Sequence, residues 1–415
     1  MKKSKKGKRK ITNYYRFFSS LFVVCVFLII LGILLFQLVS NFSHSGQTDT
    51  FSEGSVTSEQ STVEEKKDIT ITLAAIGDAM CHSQNFKDAY NSSTGEYDFT
   101  HVFQNIASHT SNADLTIGNL ETTFAGEARK YSGYPTFNTP STFGNALKNI
   151  GVDILCTANN HSLDKGYSGL VSTLDSLDET GISHMGTYRS QEEQDQILVK
   201  DVNGIKIAFL AFTYGTNGIP VPSGKEYCVN LIDRDLIKKQ LDSAKEQNVD
   251  LICVNMHWGA EYQTKQNSEQ EELAEFLFEN GADIIFGSHP HVLQPMEKRT
   301  ITLADGSTKD GFVIYSLGNF VSGQVKEYTK DTIILNLQIT KHTDDTITID
   351  QATYVPVYVY DKGSGKSERF QLLDIRSNME DYVAGKGNIN STTYNTIKTR
   401  LEKIEQIVGP EIKSE

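Results

Sequence analysis

The chain has 415 residues, 38% hydrophobic and 10% aromatic, with a formal charge of −13; roughly 340 of them lie beyond the N-terminal segments, enough for one large α/β domain or two smaller ones. Residues 1–16 hold eight basic side chains and no acid, which leaves 31 basic against 52 acidic residues, a net −21, in the remainder. A body this acidic excludes general-field attraction of nucleic acid or an anionic polymer, so an anionic substrate must be held locally, by a metal or a few placed donors.

Residues 1–16 read as a basic cytoplasmic tail. Phe17 to Val39 contains no charged residue and is long enough to cross a bilayer, which predicts a membrane-spanning helix over 17–40. The preceding basic cluster puts the N-terminus in the cytoplasm and everything after Ser40 outside. A cleaved signal peptide is the competing reading; the apolar core exceeds the usual ~7–15 residues and no A-x-A site follows, so an uncleaved single-pass anchor is expected. Residues 41–68, rich in Ser, Thr, Gln and Glu, read as a solvated linker. The five cysteines (Cys25, Cys81, Cys156, Cys228 and Cys253) show no CxxC spacing. A zinc knuckle or a dense disulfide framework is therefore not expected, and buried free thiols are.

Folding is expected to begin at Ile69, with a strand over 69–76 ending in Gly77-Asp78-Ala79-Met80. A helical segment near 102–111 leads to a strand over 113–117 ending in Gly118-Asn119-Leu120-Glu121. A helix around 143–150 precedes the strand 153–156, which ends in Ala158-Asn159-Asn160-His161 with Asp164 three residues on. After a helix over 169–180 the pattern predicts a hairpin, 196–200 and 204–212, turning at Asn203-Gly204. A helix over 232–247 leads to the apolar run Leu251–Val254, which ends in Met256-His257-Trp258-Gly259-Ala260-Glu261. A Glu-rich helical stretch and a second apolar run, Ile284–Phe286, follow, the latter ending in Gly287-Ser288-His289-Pro290-His291. Strands are expected over 311–317, 332–340 and 346–359, then a terminal helix over 390–408. The main domain spans 69–325, and 326–415 completes it.

Ligands in open α/β sheets bind beyond the carboxyl ends of strands. Five such ends here carry polar groups: Asp78; Asn119 and Glu121; Asn160, His161 and Asp164; His257 and Glu261; His289 and His291. Carboxylate, amide oxygen and imidazole are donors to manganese, zinc or iron, so a site for one or two divalent ions is expected. Taken singly, a Gly-Asp turn or a buried histidine is an ordinary structural feature, and Trp258 alone reads as packing. The ordered series is what points to a shared site.

These motifs, with Ser316-Leu317-Gly318-Asn319-Phe320, resemble the series of the CapA/PgsA capsule-biosynthesis proteins, implicated in making or exporting poly-γ-glutamate. That family is similar in turn to the calcineurin-like metallophosphoesterases. The resemblance implies a four-layer α/β sandwich, two mixed β-sheets flanked by helices. It implies Asp78 and His291 on a first metal, Asn160, His257 and His289 on a second, and Glu121 bridging them. It also implies His161 as the acid that protonates a leaving group, with Asp164 orienting it. Glu261 has no counterpart in the phosphoesterases and is expected either to support the ligands from behind or to contact substrate; Asn119, Trp258 and Asn319 are expected near substrate. Met80 stands where the phosphoesterases place a histidine, and Glu121 where they place an aspartate, which implies an altered or single-metal site; His82, four positions beyond Asp78, is a weak substitute.

Three functions follow as expectations. The first is an anchored, extracellular metal-dependent hydrolase or transferase acting on poly-γ-glutamate or a related anionic envelope polymer. The second is a non-catalytic scaffold for membrane synthase subunits. The third is a phosphoesterase on phosphate esters.

Overall fold

The computed structural model describes residues 66–302, 306–409 and 413–414. The expected tail (1–16), membrane-spanning helix (17–40) and nearly all of the linker (41–68) lie outside the described residues. Among the described residues no helix is long and apolar enough to cross a membrane.

In chain order the strands are β1 (Ile69–Ala79), a small hairpin of β2 (Tyr90–Asn91) and β3 (Glu96–Tyr97), β4 (Leu115–Leu120), β5 (Ile154–Cys156), β6 (Ser183–Met185), β7 (Leu198–Val202), β8 (Ile205–Thr213), β9 (Leu251–His257), β10 (Ile284–Ser288), β11 (Met296–Thr302), β12 (Thr308–Ile314), β13 (Asp331–Lys341), β14 (Ile347–Asp361) and β15 (Phe370–Asp374). One mixed sheet runs β15-β14-β13-β1-β4-β5-β6 and a second runs β11-β12-β10-β9-β8-β7. The continuous apolar runs of β1, β4, β9 and β10 occupy inner positions, as strands buried on both faces must.

The two sheets pack against each other. Ile71, Leu73, Ile117, Leu335 and Leu337 of the first share one core with Ile207, Phe209, Cys253, Phe286 and Ile314 of the second. Helices cover the outer faces. Phe86, Phe103, Phe143, Leu147 and Leu177 lie against the first sheet, and Ile237, Leu241, Leu273 and Leu277 against the second. The fold is therefore mixed α/β, with two sheets flanked by helices. The helix Ser391–Val408 presents Ile397, Leu401 and Ile404 to the inter-sheet core.

Local chemistry explains several joints. The β7–β8 turn holds Asn203 at φ 52° and Gly204 at φ 97°, the left-handed pair that a two-residue hairpin needs. In β1 the register against β4 slips between Ala75 and Asp78. That irregularity turns the end of the strand and aims Asp78. Gly77 stands at the slip because a Cβ there would lie 2.0 Å from the Gly318 carbonyl oxygen.

Three local expectations differ from the structure. The helical segment near 102–111 is two short helices, Thr100–Phe103 and Ala107–Ser111. Ile106 leaves helical geometry between them (φ −120°, ψ 1°), and it is buried together with Phe103. The strand expected over 311–317 is β12, over Thr308–Ile314. Past it, the Tyr315 and Leu317 amides donate to Pro295 and Gly287 carbonyls (both 3.0 Å) instead of continuing the ladder. Strands β11 and β15 and the helix Ile375–Val383 are additional.

Candidate metal centre

β1, β4 and β5 run parallel in the first sheet, as do β8, β9, β10 and β12 in the second. Their carboxyl ends meet at one rim. The side chains of Asp78, Glu121, Asn160, His257, His289 and His291 are all buried there.

Contacts join all of them. His291 Nδ1 lies 3.2 Å from Asp78 Oδ2, and its Nε2 lies 3.7 Å from Glu121 Oε1. His257 Nε2 lies 3.2 Å from Asn160 Oδ1 and 3.9 Å from Glu121 Oε1. The His289 backbone amide donates to Asp78 Oδ2 at 3.3 Å. His289 and His291 hold φ of 95° and 61°. Left-handed backbone at two non-glycine residues is a conformation that tertiary context must enforce, and it concentrates at functional sites.

The donors fit a divalent cation. Glu121 Oε1 and His289 Nδ1 are buried without a hydrogen-bond partner, a costly state unless an ion or water completes it. The Ser288 hydroxyl is placed to donate to the Met256 carbonyl (3.5 Å) and lies 2.9 Å from His257 Nδ1. Nδ1–H then donates to Ser288, which leaves the Nε2 lone pair facing the oxygens of Asn160 and Glu121. Asp78, Glu121 and His291 place ligand atoms within 4.8 Å of one another, and Glu261, His289 and His291 do the same.

Electrostatics agree. Burial first, then the negative charges of Asp78 and Glu261, hold the Glu121 carboxyl well above its ordinary range. Burial, then the neighbouring histidines, push His257 well below its ordinary value; the same causes lower His289 to about 3. The His257 and His289 imidazoles thus favour the neutral form that ligands need, and Glu121 is disposed to hold a proton that a cation would have to displace.

At the edge of the cluster, His161 Nδ1 lies 2.7 Å from Asp164 Oδ2, which also accepts from the Phe137 amide at 2.6 Å. The Phe137 ring meets the imidazole edge-on at 4.7 Å. His161 Nε2 points instead toward Asn217 Nδ2, at 3.5 Å.

Three expected substrate contacts are corrected. Trp258 is 1% exposed; its Nε1 donates to the Tyr315 carbonyl at 2.9 Å, and it packs on the outer face of the second sheet with Met256 and Leu277. Adjacent strand residues point to opposite faces, so Trp258 turns away from the His257 side. Asn319 is buried, and its amide donates to the Thr329 carbonyl (3.0 Å) and Gln324 (2.9 Å), so it closes a loop. Asn119 is buried too, and it acts on the carboxylates: its amide donates to Asp78 (2.8 Å) and Glu121 (3.3 Å). Glu261 remains exposed at the rim. His82 is occupied elsewhere, its Nδ1 accepting from the Gly323 amide at 3.2 Å.

Two members of the site, Asn159 inside the Ala158–His161 motif and Tyr214 outside any motif, are not among the expected site residues. Asn159 donates to Asn119 Oδ1 (3.2 Å) and the Leu120 carbonyl (2.7 Å). Tyr214, just past β8, lies 4.5 Å from the His289 ring and stacks at 6.2 Å on His257. Its place at a strand's carboxyl end was the available clue.

Residues 72–324 match the family described as bacterial capsule synthesis protein PGA_cap. The chain belongs to this family. It is similar to the capsule biosynthesis protein CapA of Bacillus anthracis, 30% identical over 284 residues covering 67% of this chain and 66% of that protein. It is also similar to the PGA biosynthesis protein CapA of Bacillus subtilis, 29% identical over 271 residues, 62% of this chain and 67% of that one. The chain thus spans about two thirds of the length of these PGA_cap relatives. Among solved structures it resembles Haemophilus influenzae NAD nucleotidase (NadN), at 12% identity and a TM-score of 0.47 over 83% of this chain and 64% of that one. It also resembles the calcineurin-like phosphoesterase YfkN of Bacillus subtilis, at 16% identity and a TM-score of 0.39 over 81% and 98%.

Proposed function

We propose that this PGA_cap protein is anchored in the cell membrane with its folded domain outside, and that it acts in the biosynthesis or export of an anionic envelope polymer of the poly-γ-glutamate type through a metal-dependent hydrolase or transferase site. The observation that carries the reading is the buried junction of Asp78, Glu121, Asn160, His257, His289 and His291, with Glu121 Oε1 and His289 Nδ1 unpartnered. A bound divalent cation supplies Lewis-acid polarisation of a carbonyl or phosphoryl oxygen. The protein's own part is to place that oxygen. Asn119, itself held by Asn159, fixes the carboxylates, Ser288 fixes the His257 ring, and Asp164 holds His161 with Nε2 turned away from it, toward Asn217, as the nitrogen that would hand a proton to a leaving group. The acidic surface makes the cation the local means of holding an anionic chain.

The test is metal analysis of the full-length protein beside a His257→Ala/His289→Ala variant, with polymer output measured in cells carrying each. The reading expects bound manganese, zinc or iron in the first, little in the second, and reduced polymer in the variant cells. Metal absent from both, or undiminished polymer, would overturn it. One observation favours the scaffold reading: Met80, two residues beyond Asp78, is 1% exposed and brings only a thioether, a poor ligand for such ions. Under that reading the variant cells export normally, and replacing residues 17–39 by an unrelated membrane span abolishes export.

A further inference from the structure

The loop that follows β9 brings a further carboxylate, Glu261, to the rim. Glu261 lies on this exposed loop, yet one of its oxygens, a His289 nitrogen and a His291 nitrogen fall within 4.8 Å of one another. The geometry points to Glu261 as a direct ligand of a divalent cation, held together with His289 and His291. This rests on the cation-binding reading above and adds a position beside the Asp78–Glu121–His291 group, with His291 common to both.

Three observations carry it. The loop is fixed rather than free to swing. Gly259 has φ 83°, and a Cβ there would meet the Gln270 side chain at 2.7 Å, so only glycine permits the turn. The Tyr262 amide donates to the Pro290 carbonyl at 2.8 Å, between the two histidines. The buried Gln294 amide donates to the Gln263 (2.9 Å) and Lys265 (3.1 Å) carbonyls. Loop and histidine turn are therefore one unit, so only the Glu261 side chain, and not its backbone, has to be ordered against the imidazoles.

The second observation is the unsatisfied set opposite. His289 Nδ1 and Glu121 Oε1 are both buried and unpartnered, and each can offer a lone pair to a cation once it carries no proton. The third is charge. Glu261 on one side and Asp78 with Glu121 on the other converge on the same His291 ring, so without a cation the rim gathers acidic side chains at a cost. A cation between them reverses the sign of that interaction.

The test is titration of the full-length protein with Mn2+, followed by electron paramagnetic resonance, and with Zn2+ by calorimetry. Glu261→Gln is expected to weaken Mn2+ binding about 10–100-fold without lowering the chelated protein's melting temperature. Glu272→Gln, which removes an equal charge from the exposed face of the helix Ser268–Glu279, should bind as the parent does. Glu261→His offers a nitrogen instead of an oxygen and should regain Zn2+ binding, which loss through charge alone would not permit. Parent-like Mn2+ affinity in Glu261→Gln, or no regain by a folded Glu261→His, overturns the assignment and leaves the cation reading standing. A parent protein that binds neither ion overturns both.

Discussion

The Asn119 side-chain amide donates to Asp78 Oδ1 at 2.8 Å. The same nitrogen lies 3.3 Å from Glu121 Oε2, so one neutral donor spans two buried carboxylates. Asn119→Ala removes it and leaves two buried carboxyl groups without their shared donor. We expect a stability loss of about 1–3 kcal/mol and a drop in cation affinity of about tenfold or more. Thermal melts and Mn2+ titration measure the two, and unchanged affinity would show that Asn119 does not position the carboxylates.

Cation affinity should rise with pH because of Glu121. His289 is lowered to about 3, so its ring is neutral at pH 5 and does not compete, and burial moves His257 in the same direction. The Glu121 carboxyl, pushed up by burial and by Asp78, keeps a proton that the cation must displace. Melts in chelator and in Mn2+ at pH 5 and pH 8 should show the larger gap at pH 8, about 2.7 kcal/mol when the ion is at a hundred times its dissociation constant. Glu121→Gln should remove the pH dependence together with most of the affinity. An equal gap at both pH values would count against this placement of the proton.

His161 separates catalysis from scaffolding. Its imidazole is tied to Asp164 at 2.7 Å and is absent from the groups of converging ligand atoms. His161→Gln should leave Mn2+ affinity unchanged while lowering turnover about 10²–10⁴-fold, read as polymer processed or released by cells. Normal polymer output with normal cation binding would favour the scaffold.

Asp331 opens β13 with both carboxylate oxygens buried and unbonded; Arg400 Nη1 is 3.6 Å from Oδ2. Burial raises its pKa from 3.8 to about 7, partly offset by Arg400. The folded state therefore holds the proton more tightly than the unfolded one. Stability from this group is fully present below about pH 3.8 and is lost as pH rises to about 7. Asp331→Asn should match the parent near pH 4 and exceed it at pH 8 by roughly 2–4 kcal/mol. A variant less stable than the parent at pH 8 would show that the Arg400 pair outweighs burial.

Much of the site was legible because its residues close apolar runs. β9 and β10 are buried on both faces, so their sequences read as unbroken hydrophobic stretches, and the polar residues ending them stand out. Trp258 was misread because position at a strand end says nothing about face; it follows His257 directly, and the pleat sends it to the opposite side. β11 escaped notice because it is an edge strand in which only Met296 and Ile301 are buried. The helix Ile375–Val383 buries only Ile375, too little to print a periodic stripe. Asn159 and Ser288 act through hydrogen bonds across the rim, and such bonds leave no trace in spacing.

The contact between Gly77 and the Gly318 carbonyl has a bearing on biogenesis. The Asp78 amide donates to that carbonyl at 2.8 Å, and Val321 bridges Ala79, so the innermost carboxylate is locked by a segment made long after it. A nascent chain, growing from its N-terminus, cannot mature this pocket until most of the polypeptide has been synthesised. Assembly of the pocket is thereby deferred to a late step, when nearly the whole domain is available to fold.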